Sequence, residues 1–271
     1  MKVWFITGTS RGFGRVWAEA ALKRGDKVAA TARDTDSLTD LVDTYGDSVL
    51  PIALNVDDRQ ACFDAVQQAH STFGRIDILI SNAGYGQFGF LEELSEQEAR
   101  QQLDTNILGS LWIIQAVLPI MRKQGNGHIL QVSSIGGVTT FPIFSIYHAS
   151  KWAVEGMCES LSQEVAQFGI KVTLIEPGGY STDWAGSSAK HSEPIAAYDA
   201  LREQIQENRK KSKPGDPDAT ADAMLNVVDA EKPPLRLFLG MVGLRLVEPK
   251  YKERLATWHE WDEVSKAAQG N

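Results

Sequence analysis

The stretch Val3-Trp4-Phe5-Ile6-Thr7-Gly8-Thr9-Ser10-Arg11-Gly12-Phe13-Gly14 decides the fold. Its first four residues are continuously apolar and run into a glycine turn, the pattern of a strand buried on both faces. The turn opens a helix with Ala18, Ala21 and Leu22 on one side, closed by Lys23, Arg24 and Gly25 as a basic last turn and a stop. In such a strand–turn–helix unit, backbone N–H groups and the helix N-terminus can cradle a pyrophosphate. The spacing is G-x-x-x-G-x-G and not the common G-x-G-x-x-G, so the glycines by themselves fit a plain turn equally well.

Outward from this unit the chain alternates strands and helices. Lys27 to Ala32 reads as a second strand, and Arg33 follows it. Sites that take NAD place an acid roughly 20 residues beyond the glycines, on the ribose hydroxyls. Here Ala32 and Arg33 hold that place, with Arg11 in the glycine turn. Two planar guanidinium forks suit a 2′-phosphate, so NADP(H) is the expected dinucleotide. A helix over 35–45 and strands over 49–54 and 76–80 follow, with Asp57 and Gln60 as a capping box for a helix whose stripe is Cys62, Val66, Ala69 and Phe73. Ser81-Asn82-Ala83-Gly84 ends the fourth strand in small residues that permit close approach. Ser95 and Glu98 cap the next helix, whose stripe reads Leu103, Ile107, Leu111, Ile114 and Leu118, with Asn106 beside it.

A fifth strand, His128 to Val132, leads to Ser133 and Ser134. Tyr147 and Lys151 are spaced i and i+4 in a helix that continues through Val154, Met157, Leu161, Val165 and Phe168. That spacing stacks a phenol and an ammonium on one helix face. A free phenol titrates near ~10, and a fixed neighbouring cation favours phenolate, which suits the group to proton transfer. Ser134 falls at the carboxyl end of a strand, where open α/β sheets bind ligands. A sixth strand (170–175) precedes Pro177-Gly178, and the polar, unpatterned segment 183–194 reads as a mobile loop or lid. A helix over 195–209 follows, then a basic patch (Arg209, Lys210, Lys211, Lys213) read as solvated. Asp216-Pro217 starts a further helix, 235–239 suggests a last strand, and 251–267 a final helix with Trp258 and Trp261. The alternation predicts an α/β fold with a parallel, doubly wound sheet in one domain.

Composition narrows the class. A formal net charge of -8 and a pI near 5.2 argue against a nucleic-acid surface and favour a cytoplasmic protein. Cys62 and Cys158 form neither a zinc pattern nor a disulfide framework, and no metal is expected. Met1-Lys2 leads straight into the first strand, so no leader is expected, and the apolar run 111–121 is too short to span a bilayer.

Taken together, these pieces resemble the short-chain dehydrogenase/reductase family over roughly residues 1–240. The residues that carry the resemblance are Thr7-Gly8-x-x-x-Gly12-x-Gly14, Ser81-Asn82-Ala83-Gly84, Asn106, Ser134, Tyr147-x-x-x-Lys151, and Pro177-Gly178 with Thr182. The resemblance implies a Rossmann-like sheet in the order 3-2-1-4-5-6-7, with a nicotinamide cofactor across the carboxyl ends of its strands. It implies Tyr147 as acid/base, Lys151 lowering the phenol pKa and holding the nicotinamide ribose, and Ser134 bonding the substrate oxygen. Asn106 is implied to order a water for proton relay, and Thr182 with the backbone after Gly178 to clamp the carboxamide. Cofactor contacts are expected at Gly8, Ser10, Arg11, Gly12, Phe13, Gly14, Arg33, Asn55, Val56, Asn82, Ala83, Gly84, Tyr147, Lys151, Pro177, Gly178, Tyr180 and Thr182. Asn55 stands where many relatives have Asp on the adenine amine, and its side-chain oxygen can still accept that bond. Ser81 stands where the family motif commonly has Asn.

The implied reaction is NADP(H)-dependent interconversion of a ketone and a secondary alcohol. Tyr85, Phe88, Phe90, Val138, Phe141, Ile143, Phe144, Tyr180 and Trp184 follow the strand ends without a basic cluster, so a neutral, hydrophobic carbonyl or alcohol substrate is expected. A non-catalytic NADP(H)-binding sensor or scaffold is the alternative from another class, and it is expected to lack Tyr147, Lys151 or Ser134. Residues 241–271 lie beyond the motifs and are expected to pack on the same domain as an extension that closes the pocket or a subunit contact. No membrane partner is expected, and a homodimer or homotetramer is. His148, on a different helix face from Tyr147, receives no role.

Overall fold

The computed structural model describes residues 1–186, 188–211 and 213–270. Seven strands form one parallel sheet: β1 (Val3–Ile6), β2 (Lys27–Ala32), β3 (Val49–Ala53), β4 (Ile78–Ser81), β5 (Gly127–Val132), β6 (Ile170–Pro177) and β7 (Arg236–Leu239). Their order is β3-β2-β1-β4-β5-β6-β7, as the resemblance implies. Pairing is parallel throughout, with Phe5 opposite both Ala29 and Leu79.

β1 shows why its run is apolar without alternation. Phe5 faces one core layer with Leu79, Ile129 and Leu174, while Trp4 and Ile6 face the other with Trp17, Ile80 and Ile175. Successive side chains point to opposite faces, and both faces are covered. Helices α1 (Gly12–Lys23) and α2 (Thr39–Tyr45) lie on the Trp4 side. Helices α3 (Arg59–Phe73), α5 (Gly109–Gln124) and α6 (Ser145–Val165) lie on the Phe5 side, and α4 (Glu96–Leu103) leads into α5. The remaining helices are α7 (Asp199–Lys210), α8 (Ala221–Asp229), α9 (Gly243–Glu260) and α10 (Asp262–Ala267). Strand order reverses between β1 and β4, so a crevice opens at the carboxyl ends of the strands, the place where such sheets bind ligands.

Several local expectations shift. Asp58, not Asp57, caps α3 by accepting from the Ala61 N–H at 3.0 Å, and Gln60 bonds Asp64. The Asp57 N–H is engaged by Asn55 Oδ1 at 3.3 Å, which holds the preceding turn and delays the helix by one residue. Ser95 and Glu98 do form the expected reciprocal cap. Of the expected stripe, Ile114 is buried but Leu103, Ile107, Leu111 and Leu118 are only half-buried, while Asn106, Ile113, Val117 and Met121 are buried. A π-turn over Asp104–Leu108 is the cause: one extra residue per turn rotates the inner face and brings Asn106 onto it. The helical run Glu96–Gln124 is long and apolar enough to cross a membrane by length and composition, but Ile113, Val117 and Met121 on it belong to the sheet-facing core. Segment 183–194 carries a turn at Asp183–Ala185 and a two-residue strand, Lys190–His191, that pairs in parallel with Gln87–Phe88. The last long helix starts at Gly243, well before the expected 251, because Pro249 is accommodated inside it; only Gly243 and Val247 on it are buried.

Candidate active site

The glycine turn is shaped by close approach. Gly8 adopts a φ of 72°, and a Cβ on Gly14 would lie 2.2 Å from the Gly8 carbonyl oxygen. Only glycine meets both demands. The end of β4 is laced onto this turn. Asn82 Nδ2 donates to the Thr7 and Gly8 carbonyls at 2.9 and 3.0 Å, and the Asn82 and Ala83 N–H groups donate to Thr7 Oγ1. Asn82 therefore fixes the loop, a job its place in the motif did not reveal.

Along the carboxyl edge runs a cleft of about 980 Å³. Of the residues expected to bind cofactor or to act in catalysis, all line it except Gly14 and Asn106. Gly14 serves by leaving room. A hollow lined by Ser10, Arg11, Ala32, Arg33, Asp34 and Ser37 extends the cleft past the end of β2, with the exposed Arg33 and Asp34 side chains at it. Arg11 Nη1 is ion-paired with Asp183 Oδ2 at 2.8 Å. Thr182 Oγ1 accepts from the Trp184 N–H at 3.4 Å and so caps the turn that holds Trp184. The Trp184 ring lies 4.9 Å from that of Tyr147 and fills the space over Gly86, where a Cβ would come within 2.4 Å of it.

Tyr147 and Lys151 share the buried face of α6 as their spacing requires, with the ammonium 5.7 Å from the phenol ring centre. Lys151 Nζ donates to the Val132 carbonyl at 2.9 Å. Burial lowers Lys151 to about 8, opposed by the negative charge of Glu155 one turn on. Burial raises Tyr147 to about 12, opposed by a hydrogen bond with Ser134. The expected lowering of the phenol by Lys151 is not seen, since only the bond with Ser134 opposes burial, and the side chain stands as a protonated phenol. Ser134 is extended backbone at the end of β5, and its Oγ accepts the Gly136 N–H at 3.0 Å.

The Asn106 side chain bonds the Tyr85 backbone and Ser150. Its Nδ2 donates to the Tyr85 carbonyl and Ser150 Oγ at 3.1 and 3.0 Å, and its Oδ1 accepts the Tyr85 N–H at 3.2 Å. The amide ties the β4 loop to α6. His148, left without a role above, braces the loop after Ser134. Its Nε2 accepts the Phe141 N–H at 2.9 Å, so Nδ1 carries the proton that is donated to the Gly136 carbonyl at 2.9 Å. Burial lowers its pKa, which keeps this tautomer neutral. Ile143, just before α6, has a φ of 72°, a strained value for a β-branched residue, and its carbonyl accepts the Gly89 N–H at 3.0 Å.

Behind the cleft, Glu155 and Glu176 are buried together against Arg236. Arg236 Nε donates to Glu155 Oε2 at 2.9 Å and lies 3.6 Å from Glu176 Oε1, while its Nη2 bonds Glu159. Glu155 Oε1 and both Glu176 oxygens meet no donor among the described residues. Two buried carboxylates sharing one arginine, with three of their four oxygens lacking a donor, are costly, and one retained proton resolves this by letting one acid donate to the other. Burial, then the Glu155 charge, push Glu176 up to about 8, so the proton resides there.

The substrate side departs furthest from expectation. Phe88, Phe90, Val138 and Ile143 are core, Phe141 lies tilted against His148, and Phe144 packs edge-on against Phe88. Of the nine residues named, Tyr85, Tyr180 and Trp184 line the cleft, joined by Gln101, Thr105, Lys190 and Arg209. Arg209, assigned above to a solvated patch, lies over the Phe88 and Phe144 rings at 5.3 and 5.8 Å.

Comparison with known proteins agrees with this geometry. The family model for short chain dehydrogenases matches residues 2–193. Oxidoreductase BOA17 of Botryotinia fuckeliana is 42% identical over 271 residues, covering 98% of this chain and 99% of that protein. The crystal structure of a short-chain dehydrogenase from Streptomyces avermitilis superposes with a TM-score of 0.91 at 39% identity, covering 99% of this chain and 100% of that one. An alcohol dehydrogenase from the archaeon Thermococcus sibiricus, solved with 5-hydroxy-NADP, gives 0.76 at 27% identity, covering 90% and 97%. The chain belongs to the short-chain dehydrogenase family of oxidoreductases.

Proposed function

We propose that the protein interconverts a ketone and a secondary alcohol with NADP(H). One observation carries the reading: a buried, protonated Tyr147 phenol, with Ser134 bonded to it and Lys151 on the same face, opens onto a cleft that continues past the glycine turn to Arg11 and Arg33. The cradle fits a dinucleotide, because Gly14 leaves room that any side chain would fill and Gly8 turns its backbone into the left-handed region. Gly8, Ser10, Gly12, Phe13 and Ala83–Gly84 would hold its phosphates and riboses, Asn55 and Val56 the adenine end, and Pro177, Gly178, Tyr180 and Thr182 the nicotinamide end. Arg11 and Arg33 would take the 2′-phosphate. The bound cofactor supplies or accepts the hydride.

The protein's own work is proton transfer and positioning. Tyr147 donates its phenolic proton to the substrate oxygen during reduction and takes one from the alcohol during oxidation. Ser134 donates a hydrogen bond to the same oxygen as charge develops on it. Lys151, held at the Val132 carbonyl, offsets the charge left on Tyr147 after donation. Trp184 and the Lys190–His191 strand cover the site and keep bulk water from it. Asn106 acts by keeping the β4 loop and α6 in register. The walls next to Tyr147 suit an apolar substrate body; the neutral class expected above rested on residues that are mostly core.

The sensor or scaffold alternative has no observation in its favour, since Ser134, Tyr147 and Lys151 are all present and line one cleft. The reading is tested by NADPH consumption against a panel of aryl ketones, steroids, retinoids, acyl thioesters and sugars. Turnover with at least one carbonyl compound is expected, and NADPH binding without turnover on any would return the scaffold reading.

A further inference from the structure

The cleft is more cationic than a dinucleotide alone requires. In a chain of net charge -8, it is lined by Arg11, Arg33, Lys151, Lys190 and Arg209 against Asp57 and Asp183, with Asp34 in the hollow at its cofactor end. Asp183 is paired with Arg11. On the reading above, Arg11 and Arg33 answer the cofactor phosphate and Lys151 answers the phenol. Lys190 and Arg209 are left over. Lys190 Nζ donates to Gln101 Oε1 at 3.1 Å and lies over the Tyr85 ring at 4.6 Å.

Arg209 differs. It sits in the last turn of α7, and among the described residues it has neither an ion pair nor a side-chain hydrogen bond. Arg202, seven positions earlier on the same helix, is paired with the buried Glu93. The guanidinium carbon lies 5.3 Å from the Phe88 ring centre and 5.8 Å from that of Phe144, two rings set at 62° to each other. Contact with aromatic rings takes up none of the guanidinium's N–H donors in conventional hydrogen bonds, so they stay available to an oxyanion. Two ring steps connect it to the chemistry: 5.8 Å to Phe144 and 6.3 Å from Phe144 to Tyr147, which bound the separation of Arg209 Cζ from the phenol ring at 12.1 Å. Trp184, at 4.9 Å from Tyr147 and 6.1 Å from Phe144, supplies an apolar wall along the same span.

We propose that the carbonyl substrate carries an oxyanion, a carboxylate or a phosphate-type group, at the far end of an apolar body, and that Arg209 is the residue that selects it, with Lys190 as a second cation on the same cleft. This rests on the function proposed above and names its substrate class. Contact with the two rings places the cation beside the cleft before the substrate arrives, so less side-chain freedom is lost on binding. Without such a subsite, the overall negative charge of the protein would disfavour an acid relative to its ester.

The probes are 4-acetylphenyl alkanoic acids with short tails of increasing length, the matching phosphonic acids, and the methyl esters of both. For the parent and for Arg209→Gln, kcat/KM with NADPH is measured on every compound, and binding of each compound to the NADPH complex is titrated by calorimetry. The parent should favour an acid over its ester by about tenfold at the tail length that spans the site. That is the low end for a hydrogen bond to a charged group, because Arg209 keeps contact with solvent. Arg209→Gln should lower kcat/KM for the acid about tenfold more than for the ester, and added salt should narrow the parent's preference. Carboxylates against phosphonates tell which oxyanion is taken. Equal treatment of acid and ester by the parent, or an equal loss on both in Arg209→Gln, overturns the proposal and leaves the carbonyl reductase reading intact. Should no compound be reduced, the fault lies with that reading, while the calorimetric preference of acid over ester still decides the role of Arg209.

Discussion

Replacing Glu176 with Gln should flatten the pH dependence of stability just above neutrality. The Glu176 carboxyl is fully buried against Glu155, and neither of its oxygens meets a donor among the described residues. Burial and the Glu155 charge raise it to about 8, whereas an unfolded glutamate titrates near ~4.3. Between those values the folded state holds one proton that the unfolded state has released, so stability falls as pH rises through the window. One proton corresponds to about 1.4 kcal/mol per pH unit. Below the window both states are protonated, above it both are ionised, and the slope vanishes. His128 and His148, lowered by burial, act in the opposite sense and only below ~6.5, where the unfolded chain gains protons that the folded chain refuses. Lys151, lowered to about 8, enters only near the upper edge. The groups facing the pair are Lys151, Cys158 and Glu159 on α6 and Arg236 on β7. A Gln amide donates to Glu155 as the protonated acid does, so the packing is kept and the titration removed. Urea unfolding of parent and variant between about pH 6.8 and 7.8 gives the comparison. The parent's stability should fall relative to the variant's by about 1.1 kcal/mol across that unit, less than the full one-proton slope because the folded carboxyl begins to ionise as pH nears 8. Parallel slopes would show that both carboxylates are ionised and that no proton is shared.

Two further predictions concern the cleft. Arg33→Ala should weaken NADPH roughly 10–100-fold and leave NADH nearly unchanged, because a hydrogen bond to a charged group contributes ~1.5–3 kcal/mol and NADH has no 2′-phosphate to lose. Dissociation constants for both cofactors check it, and equal weakening of both would place Arg33 on the surface alone. Ser134→Ala should lower turnover by about 10²–10³-fold, the usual effect of removing one donor to a developing oxyanion, with Ser133→Ala far milder, since Ser133 Oγ abuts Gly137 and the buried Glu155 side of the sheet. Steady-state rates decide between them, and the reverse order would move the substrate to the other serine.

The strands and the glycine cradle were legible because each rests on a local signal, an apolar run, a glycine spacing or a charged helix end, whereas the sheet order came from the family resemblance. Tyr147, Lys151 and Ser134 were legible because their spacing carries them to one place on any doubly wound sheet. What stayed hidden depends on tertiary packing. The π-turn at Asp104–Leu108 breaks the period from which the stripe of that helix was read, so Asn106 looked peripheral and is buried. Phe88 and Phe144 have the composition of pocket residues, and only the folded chain shows Arg209 laid across them. His148 looked inert because its two partners, Gly136 and Phe141, are backbone groups that no side-chain pattern announces. Glu155 and Glu176 lie on different elements, and nothing in sequence tells that they meet.

The central claim, that Tyr147 is the proton donor of an NADPH-dependent reduction, is tested most directly by Tyr147→Phe on the carbonyl substrate that the parent turns over best. The phenyl ring keeps the packing against Trp184 and removes only the hydroxyl. The account predicts a fall in kcat of roughly 10²–10⁴-fold, the usual contribution of a general acid, with the NADPH dissociation constant within a few-fold of the parent's. A variant that turns over within a few-fold of the parent would contradict it.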